Sequence, residues 1–492
     1  MLVFAVTTSI WVFRILYRYR IVAICDLVAA PPRYIFRGRI LPLFRGPGKR
    51  AQHSMNTQNS PTFTIAPGGT LQGRLQVPGD KSISHRALIL GAIAEGDTEI
   101  TGFLEGEDTR ATLAAFRQMG VVIEADGAGR VRVHGVGLKG LSAPMVPLYL
   151  GNSGTSMRLL AGVLAGQSFS SELTGDESLS RRPMARIADP LRAMGAEIST
   201  REQGTPPLRI RGGNTLSGIE YAMPVASAQV KSCLLLAGLL ARGSTRIREP
   251  APTRDHTERM LAGFGYALHY KDGKIGIEGG GALRGTRVAV PGDISSAAFF
   301  LVGASIARDA ELVLENVGVN PTRTGLLQIL RMMGAEFALR NERMAGGEPV
   351  ADIWVRSRPL KGIEVPPALV PLAIDEFPAL FVAAAATEGK TTVTGAEELR
   401  GKESDRIATM AEGLERLGID ARATPDGMII QGGTFTGGRI ASHGDHRVAM
   451  AFSMAALASR EAIVVEDCAN VDTSFPGFAD IAAKAGLGIT VA

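Results

Sequence analysis

Six times along this chain an apolar residue is followed by a glycine at the end of a helical pattern: Met119-Gly120, Met194-Gly195, Phe264-Gly265, Met333-Gly334, Leu417-Gly418 and Ala485-Gly486. The intervals are 75, 70, 69, 84 and 68 residues, a spacing that points to repeated structural units. Glycine just past a helix end fits a left-handed C-cap. β-type segments follow, as in Val121–Glu124, Ala196–Ser199, Tyr266–Tyr270 and Ala335–Leu339. Ahead of each amphipathic helix the pattern predicts another that is apolar nearly all round, at Ala87–Ala94, Met157–Ala165, Ser232–Leu240, Ala297–Ile306, Pro378–Ala386 and Val448–Ala458. Such helices belong in an interior. The expectation is an α/β fold of six βαβαββ-like units in two groups of three, each group wrapping its sheets around small, Ala/Gly-rich parallel helices.

Val77-Pro78-Gly79-Asp80 returns as Val290-Pro291-Gly292-Asp293, 213 residues later, close to half of the 438 residues from Met55 to the end. The two copies read as equivalent points in two halves, and as crossovers near 77–80 and 290–293 where the chain passes between domains and can hinge. The expected division is a first globular domain over 79–290 and a second built from 55–78 plus 291–492, with three repeats in each.

Residues 1–54 stand apart from this rhythm. They carry nine Lys/Arg against Asp26 alone, and that +8 turns the +5 of the whole chain into −3 for residues 55–492. No overall basic field for nucleic acid remains. The apolar run from Leu2 to Phe13 is too short to span a bilayer and lacks the basic segment that precedes a signal sequence. An Arg-rich, acid-poor leader also fits a transit peptide. The plainer expectation is that Met55 is the true start and that 1–54 is translated upstream sequence or a disordered extension. Cys25, Cys233 and Cys468 lie far apart, in no metal-like spacing, so neither a disulfide framework nor a zinc site is expected, and a reducing cytoplasm fits.

Chemistry gathers where the helices begin. The run Pro78-Gly79-Asp80-Lys81-Ser82-Ile83-Ser84-His85-Arg86 sets cations and hydroxyls at the first turn of an apolar helix, where unpaired N–H groups and the positive end of the macrodipole favour a phosphate or carboxylate. Alone, the run is equally a helix cap by Asp80 or Ser82 with solvated Lys81 and Arg86. Its recurrence is what points to a site. Gly151-Asn152-Ser153-Gly154-Thr155-Ser156-Met157-Arg158 lets backbone approach a ligand without a Cβ in the way. Arg181-Arg182-Pro183-Met184 enters the next helix with proline suited to the first helical position and an arginine fork suited to an anion. Ala226-Ser227-Ala228-Gln229-Val230-Lys231-Ser232 offers Ser227 and Gln229 as neutral donors, and Thr253-Arg254-Asp255-His256 opens its amphipathic partner. His256 is as readily a packed histidine as a catalyst and is given no role.

In the second half carboxylates join the cations. Ile374-Asp375-Glu376-Phe377-Pro378 and Arg400-Gly401-Lys402-Glu403-Ser404-Asp405-Arg406 each place an acid at a helix start, and His443-Gly444-Asp445-His446-Arg447 opens the sixth buried helix, with Asp445 and His446 as scaffold and Arg447 as the ligand contact. Each acid separately reads as a cap. Jointly they favour an enzyme over a non-catalytic anion-binding or RNA-terminus protein on the same repeats, because a binder needs the cations but not the acids.

In sequence these segments, PGDKSISHRA, GNSGTSMRLL, RRPM, SAQVKS, RDHTE, DEFP, GKESDR and GDHR, resemble the signatures of the EPSP synthase family across nearly all of residues 60–492, with SAQVKS, RDHTE and Thr473-Ser474-Phe475-Pro476 similar to its bacterial class II branch. The resemblance implies the enolpyruvyl transferase fold, two similar domains whose helix N-termini face a closing cleft. It implies a transferase of the shikimate pathway, serving chorismate and aromatic amino acid biosynthesis, that passes the enolpyruvyl group of phosphoenolpyruvate to the 5-hydroxyl of shikimate 3-phosphate without cofactor or metal. Lys81, Ser82, Arg86, Ser227, Ala228, Gln229, Arg254, Asp375 and Lys402 would contact shikimate 3-phosphate. Phosphoenolpyruvate would lie against Lys81, Gly154, Arg182, Gln229, Arg406 and Arg447. Asp375 is assigned as base and Glu403 as acid, with Lys81 close to both. A cytoplasmic monomer, with no nucleic-acid or membrane partner, is expected.

Two positions bear on inhibition and affinity. Some branches carry a lysine where this chain has Ser474, and glyphosate-tolerant class II members can carry alanine at the position of Gly154, so glyphosate is expected to compete with phosphoenolpyruvate here. The alternative enzyme reading is the related transferase acting on UDP-N-acetylglucosamine, which normally uses a loop cysteine as acid; Cys233, inside an apolar helix, and Cys468, in a strand-like segment, do not suit that role.

Overall fold

The computed structural model describes residues 60–492; the leader 1–54 and the expected start at Met55 lie outside the described residues. The strands form six small sheets, three drawn from residues 95–289 and three from 63–75 together with 311–491. Five share one pattern, an edge strand parallel to its neighbour and the other pairs antiparallel. In the sixth, Lys390–Val393, Gly427–Gln431 and Asp420–Thr424 make the antiparallel part, and two isolated parallel bridges, Lys361 to Glu388 and Glu364 to Thr392, stand where the parallel edge would be.

The buried apolar residues fall into two clusters. One runs from Ile83 to Val290, the other joins Phe63–Val77 to Ile294–Leu487. An exchange of strands explains this split. Gln72–Leu75, which precedes the first buried helix, pairs in parallel with Glu311–Gly318, while Arg287–Ala289 pairs in parallel with Glu95–Thr101. The chain therefore leaves one lobe and re-enters it through the two Val-Pro-Gly-Asp copies, which bridge antiparallel at Gly79 and Gly292, with Asp80 N–H donating to Pro291 O at 2.8 Å and Asp293 N–H to Pro78 O at 2.9 Å. A Cβ on Gly79 would lie 1.8 Å from the carbonyl oxygen of Gly102, so the crossover admits only glycine there.

Six buried helices fill the lobes: Lys81–Ala92, Gly154–Leu164 and Ala228–Leu240 in the first, Ile294–Ile306, Phe377–Ala385 and His446–Ala455 in the second. They begin a few residues before the apolar runs because capping side chains extend them. Asp80 accepts from Ile83 N–H, Ser153 from Ser156 N–H, Ser227 from Val230 N–H, Asp293 from Ser295 N–H and Asp445 from Arg447 N–H. Small residues let the helices close up: a Cβ on Gly162 would meet the Cys233 carbonyl of the neighbouring helix at 2.2 Å. All six helix-ending glycines adopt the left-handed conformation, with φ between +80° and +112°.

Two local expectations are corrected. Pro183 does not open a helix; it precedes Met184, the N-cap of Ala185–Ala193, while Leu179–Arg181 forms a separate 3₁₀ turn. The strand expected over Tyr266–Tyr270 begins only at His269, because the Tyr266 side chain turns inward and its hydroxyl donates to Glu278 O.

Candidate active site

Residues widely separated in sequence meet where the two lobes face each other. Lys81, Ser82, Gly154, Arg182, Ser227, Ala228, Gln229 and Arg254 line a cleft from the first lobe, and Asp375, Lys402, Glu403 and Arg447 line it from the second. The lining holds eight guanidinium or ammonium groups against five carboxylates. Such an excess, partly removed from water, is a strong attractor for polyanions.

Asp375 sits two residues before the helix Phe377–Ala385, on the link from the short helix Val370–Ala373, and Pro378 is accommodated in the first turn of the longer helix. Arg254 of the opposite lobe donates to its carboxylate, Lys402 Nζ stands 3.4 Å from Oδ1 and Arg406 Nη1 3.6 Å from the same oxygen. Arg447 donates to its backbone carbonyl at 2.8 Å. Burial by itself would raise the Asp375 carboxyl, but Arg254, Lys402, Arg447 and Arg406 together hold it well below the usual carboxylate range.

Glu403 is held the same way. Burial works to raise it, and Arg406, whose Nη2 donates to it at 2.7 Å, Arg182, whose Nη1 stands 3.6 Å away across the cleft, and Lys81 hold it well below its ordinary value. Arg406 lies behind both acids rather than on the cleft wall. It is 1% exposed, donates through Nε to Asp445 at 2.8 Å, and has a buried Nη1 with no hydrogen-bond partner. Asp445 also accepts from Ser404 Oγ at 3.1 Å, which makes it the scaffold of this corner. Its neighbour His446 is buried with Nε2 unpartnered; burial first, then the Lys81 ammonium, keeps its imidazole neutral well below the ordinary histidine range, while Glu403 opposes them.

The first-lobe residues divide between cleft and interior. Lys81 is not a solvated lysine: its Nζ pairs with Asp108 at 2.9 Å. Arg86 is turned inward, donating to Thr257 Oγ1 at 2.7 Å, Ser82 O at 2.9 Å and Ser232 Oγ at 2.8 Å, and it does not line the cleft. Arg182 donates to Asn152 and, at 3.2 Å, to Ser178. Gln229 bridges the Gly154 segment, accepting from Arg158 Nη1 at 2.6 Å and donating to Thr155 Oγ1 at 3.0 Å. His256 is packed, 2% exposed and 2.7 Å from Glu348. Ser474 is buried and lies off the cleft wall.

Several cleft residues carried no sequence signal of their own. Asp108 opens an ordinary acidic first turn in Glu107–Gln118, and nothing local says that it will meet Lys81. Arg158 was visible only as the last residue of the glycine-led run; burial, then Arg186 and Arg182 nearby, push its guanidinium down, with Glu403 and Glu398 in partial opposition. Glu398 pairs with Lys402 at 3.0 Å, an i,i+4 contact that the spacing alone permits.

The model of one protein family, EPSP synthase (3-phosphoshikimate 1-carboxyvinyltransferase), matches residues 65–481. The chain belongs to the EPSP synthase family. It is 65% identical over 433 residues to the 3-phosphoshikimate 1-carboxyvinyltransferase of Nitrosococcus oceani, covering 88% of this chain and 98% of that protein. The protein of the same name from Methylococcus capsulatus is 63% identical over 429 residues, with 87% and 98% covered. A solved EPSP synthase from Acinetobacter baumannii superposes with a TM-score of 0.79 at 58% identity, covering 88% of this chain and all of that one. Membership in this family sets aside the UDP-N-acetylglucosamine reading, and the cysteines agree: Cys233 and Cys468 are buried, and burial pushes the Cys468 thiol up to about 12. Among the described residues no helix is long and apolar enough to cross a membrane.

Proposed function

We propose that the chain transfers the enolpyruvyl group of phosphoenolpyruvate to the 5-hydroxyl of shikimate 3-phosphate, releasing phosphate by addition and elimination. The observation that carries the reading is the pair of carboxylates, Asp375 and Glu403, held inside a cleft whose cations outnumber its acids. The two substrates bring roughly five to six negative charges, and fixed cations offset the cost of taking them out of water. Shikimate 3-phosphate is read against Lys81, Ser82, Ser227, Ala228, Gln229, Arg254, Asp375 and Lys402, with Arg86 swinging from its present partners or holding Ser82 in place. Phosphoenolpyruvate is read against Lys81, Gly154, Arg182, Gln229 and Arg447, with Arg406, off the cleft wall in the empty protein, reaching it through its unpartnered Nη1 once the acids in front shift around the reactants.

In the addition, Asp375 takes the 5-hydroxyl proton as the oxygen bonds to C2, and Glu403 delivers a proton to C3. In the elimination C3 returns its proton to Glu403, the C2–C3 double bond re-forms, and the C2–O bond to phosphate breaks as the departing oxygen takes the proton held by Asp375. Asp375 suits its part, because its cations keep it ionised. Glu403 must first gain a proton. In the empty cleft Arg406 and Arg182 oppose that, and a bound polyanion occupying those arginines relieves the opposition.

Closure belongs to the same reading. Arg254 to Asp375 and Arg182 to Glu403 both cross between lobes, and the enclosed space is about 140 Å³. That is below the ~300–1,000 Å³ typical of small-molecule pockets, so loading requires these contacts to open, and catalysis requires the lobes to close again with the reactants between the paired groups. Glyphosate, carrying a carboxylate and a phosphonate, is read as a competitor for the phosphoenolpyruvate positions, and the enzyme as a cytoplasmic monomer. Phosphate release measured with phosphoenolpyruvate and either shikimate 3-phosphate or UDP-N-acetylglucosamine tests the assignment; turnover with the second acceptor alone would overturn it.

A further inference from the structure

At the base of the cleft, one guanidinium holds together groups from both lobes. Arg323 is 2% exposed; its Nη1 donates to Asp80 at 2.9 Å, and its Nη2 donates to Ser295 Oγ at 2.7 Å and stands 3.1 Å from Asp293 and 3.5 Å from Glu376. Each partner matters by position. Asp80 caps the helix that starts with Lys81, Asp293 caps Ile294–Ile306, and Glu376 adjoins Asp375 in the chain. Asp293 Oδ2 also accepts from the backbone N–H of Lys81 at 3.3 Å. All three acids are no more than 5% exposed.

We propose that Arg323 is a positioning residue for the reaction: by tying the caps of the two crossover helices to Glu376, it fixes the separation of Lys81 from Asp375 across the cleft. Paired buried charges have sharply preferred geometry, and a bidentate guanidinium supplies direction that an ammonium does not. The two crossovers are the covalent links between lobes, so a rigid node there leaves rotation about the node as the cheap motion and sliding of one lobe along the other as the costly one. The proposal rests on the reading of Asp375 as base.

The test compares Arg323→Gln and Arg323→Lys with the unaltered enzyme, scoring kcat and both KM values per folded molecule, with thermal melts alongside. Arg323→Gln should lose about a hundredfold in kcat, as small misplacements of reacting groups do, while KM for shikimate 3-phosphate moves less than about threefold; Arg323→Lys should recover part of kcat because one of the acids regains a partner. If Arg323→Gln does not fold, Glu376→Gln, which leaves Arg323 with two acids, should lower kcat about tenfold with KM little changed. A folded Arg323→Gln, or failing that Glu376→Gln, with kcat within twofold of normal overturns the proposal, and so does a change confined to melting temperature. Asp375→Asn run in parallel separates the two claims: normal turnover there refutes the base, whatever Arg323 does.

Discussion

Replacing Gly154 by alanine makes a sharp test of how the cleft binds its smaller substrate. A Cβ built on Gly154 lies 2.9 Å from Arg158 Nη1 and 3.2 Å from Arg182 Nη1. Ordinary van der Waals contact is about 3.5 Å, so Arg158 must retreat by roughly half an ångström and Arg182 by a few tenths. Neither is free to do so. Arg158 Nη1 is committed to Gln229 at 2.6 Å and its Nη2 to Pro183 O at 3.3 Å, and Arg182 is held by Asn152 and Ser178. The methyl therefore acts by moving two guanidinium groups and, through one of them, Gln229. Overpacking of this kind costs about 1–3 kcal/mol, and about 1.4 kcal/mol is tenfold in affinity. The expectation is a KM for phosphoenolpyruvate raised about tenfold at saturating shikimate 3-phosphate. Glyphosate, with one atom more between its two acidic groups, has less room to settle, so its inhibition constant should rise by a larger factor. Steady-state phosphate release with and without glyphosate, on variant enzyme whose melting temperature confirms folding, measures both. A KM and an inhibition constant each within twofold of the parent would refute the argument.

Asp375→Asn removes the proposed base while keeping shape, and should lower kcat by about 10²–10⁴-fold; near-normal turnover would show that another group takes the hydroxyl proton. Glu403 is held well below its usual range in the empty cleft; if bound reactants relieve it, as proposed, the fall of kcat with rising pH should lie at higher pH than the corresponding fall of kcat/KM, and coincident limbs would count against Glu403 as the acid. Asp80, Glu348, Asp375 and Glu403 all have folded-state values pushed below their unfolded ones; the folded state then binds fewer protons than the unfolded, so the stability these groups contribute is present above about pH 4–5 and is lost as pH falls through their folded values. Calorimetric melts should decline gently below about pH 6.5, where the unfolded chain protonates His446 and the folded protein does not, and drop more steeply below about 4; a melting temperature unchanged down to about pH 3 would contradict the sign.

Much of the frame could be read from spacing because it rests on local rules. A glycine past each helix end is required by φ near +90°, and Gly120, Gly195, Gly265, Gly334, Gly418 and Gly486 all meet that requirement. A capping side chain announced the first buried helix in the same way, at Asp80. What stayed hidden depends on contacts between distant segments. Nothing near Asn320-Pro321-Thr322-Arg323 indicates that its arginine will be swallowed between three carboxylates, and nothing near Asp108 points to Lys81. Arg86 is a further case: its place at a helix start gives no sign of the three hydrogen-bond acceptors inside the lobe that hold it in the empty protein. For the exchange of strands, the two Val-Pro-Gly-Asp copies gave the expected grouping of 55–78 with 291–492 but not the pairing partners, since a four-residue edge strand pairs with whichever neighbour the fold presents.

That exchange also sets an order of events at the ribosome. The lobe between the crossovers is continuous in sequence and holds all its strands once Arg287–Ala289 has been made. The other lobe opens with Phe63–Ile65, which must wait for Ile463–Glu466 and Ile489–Val491 to flank it. An early strand with unpaired edges is exposed for most of synthesis, so aggregation and chaperone dependence should concentrate in that lobe, and the closing register of Phe63 against Val491 marks the last step of folding.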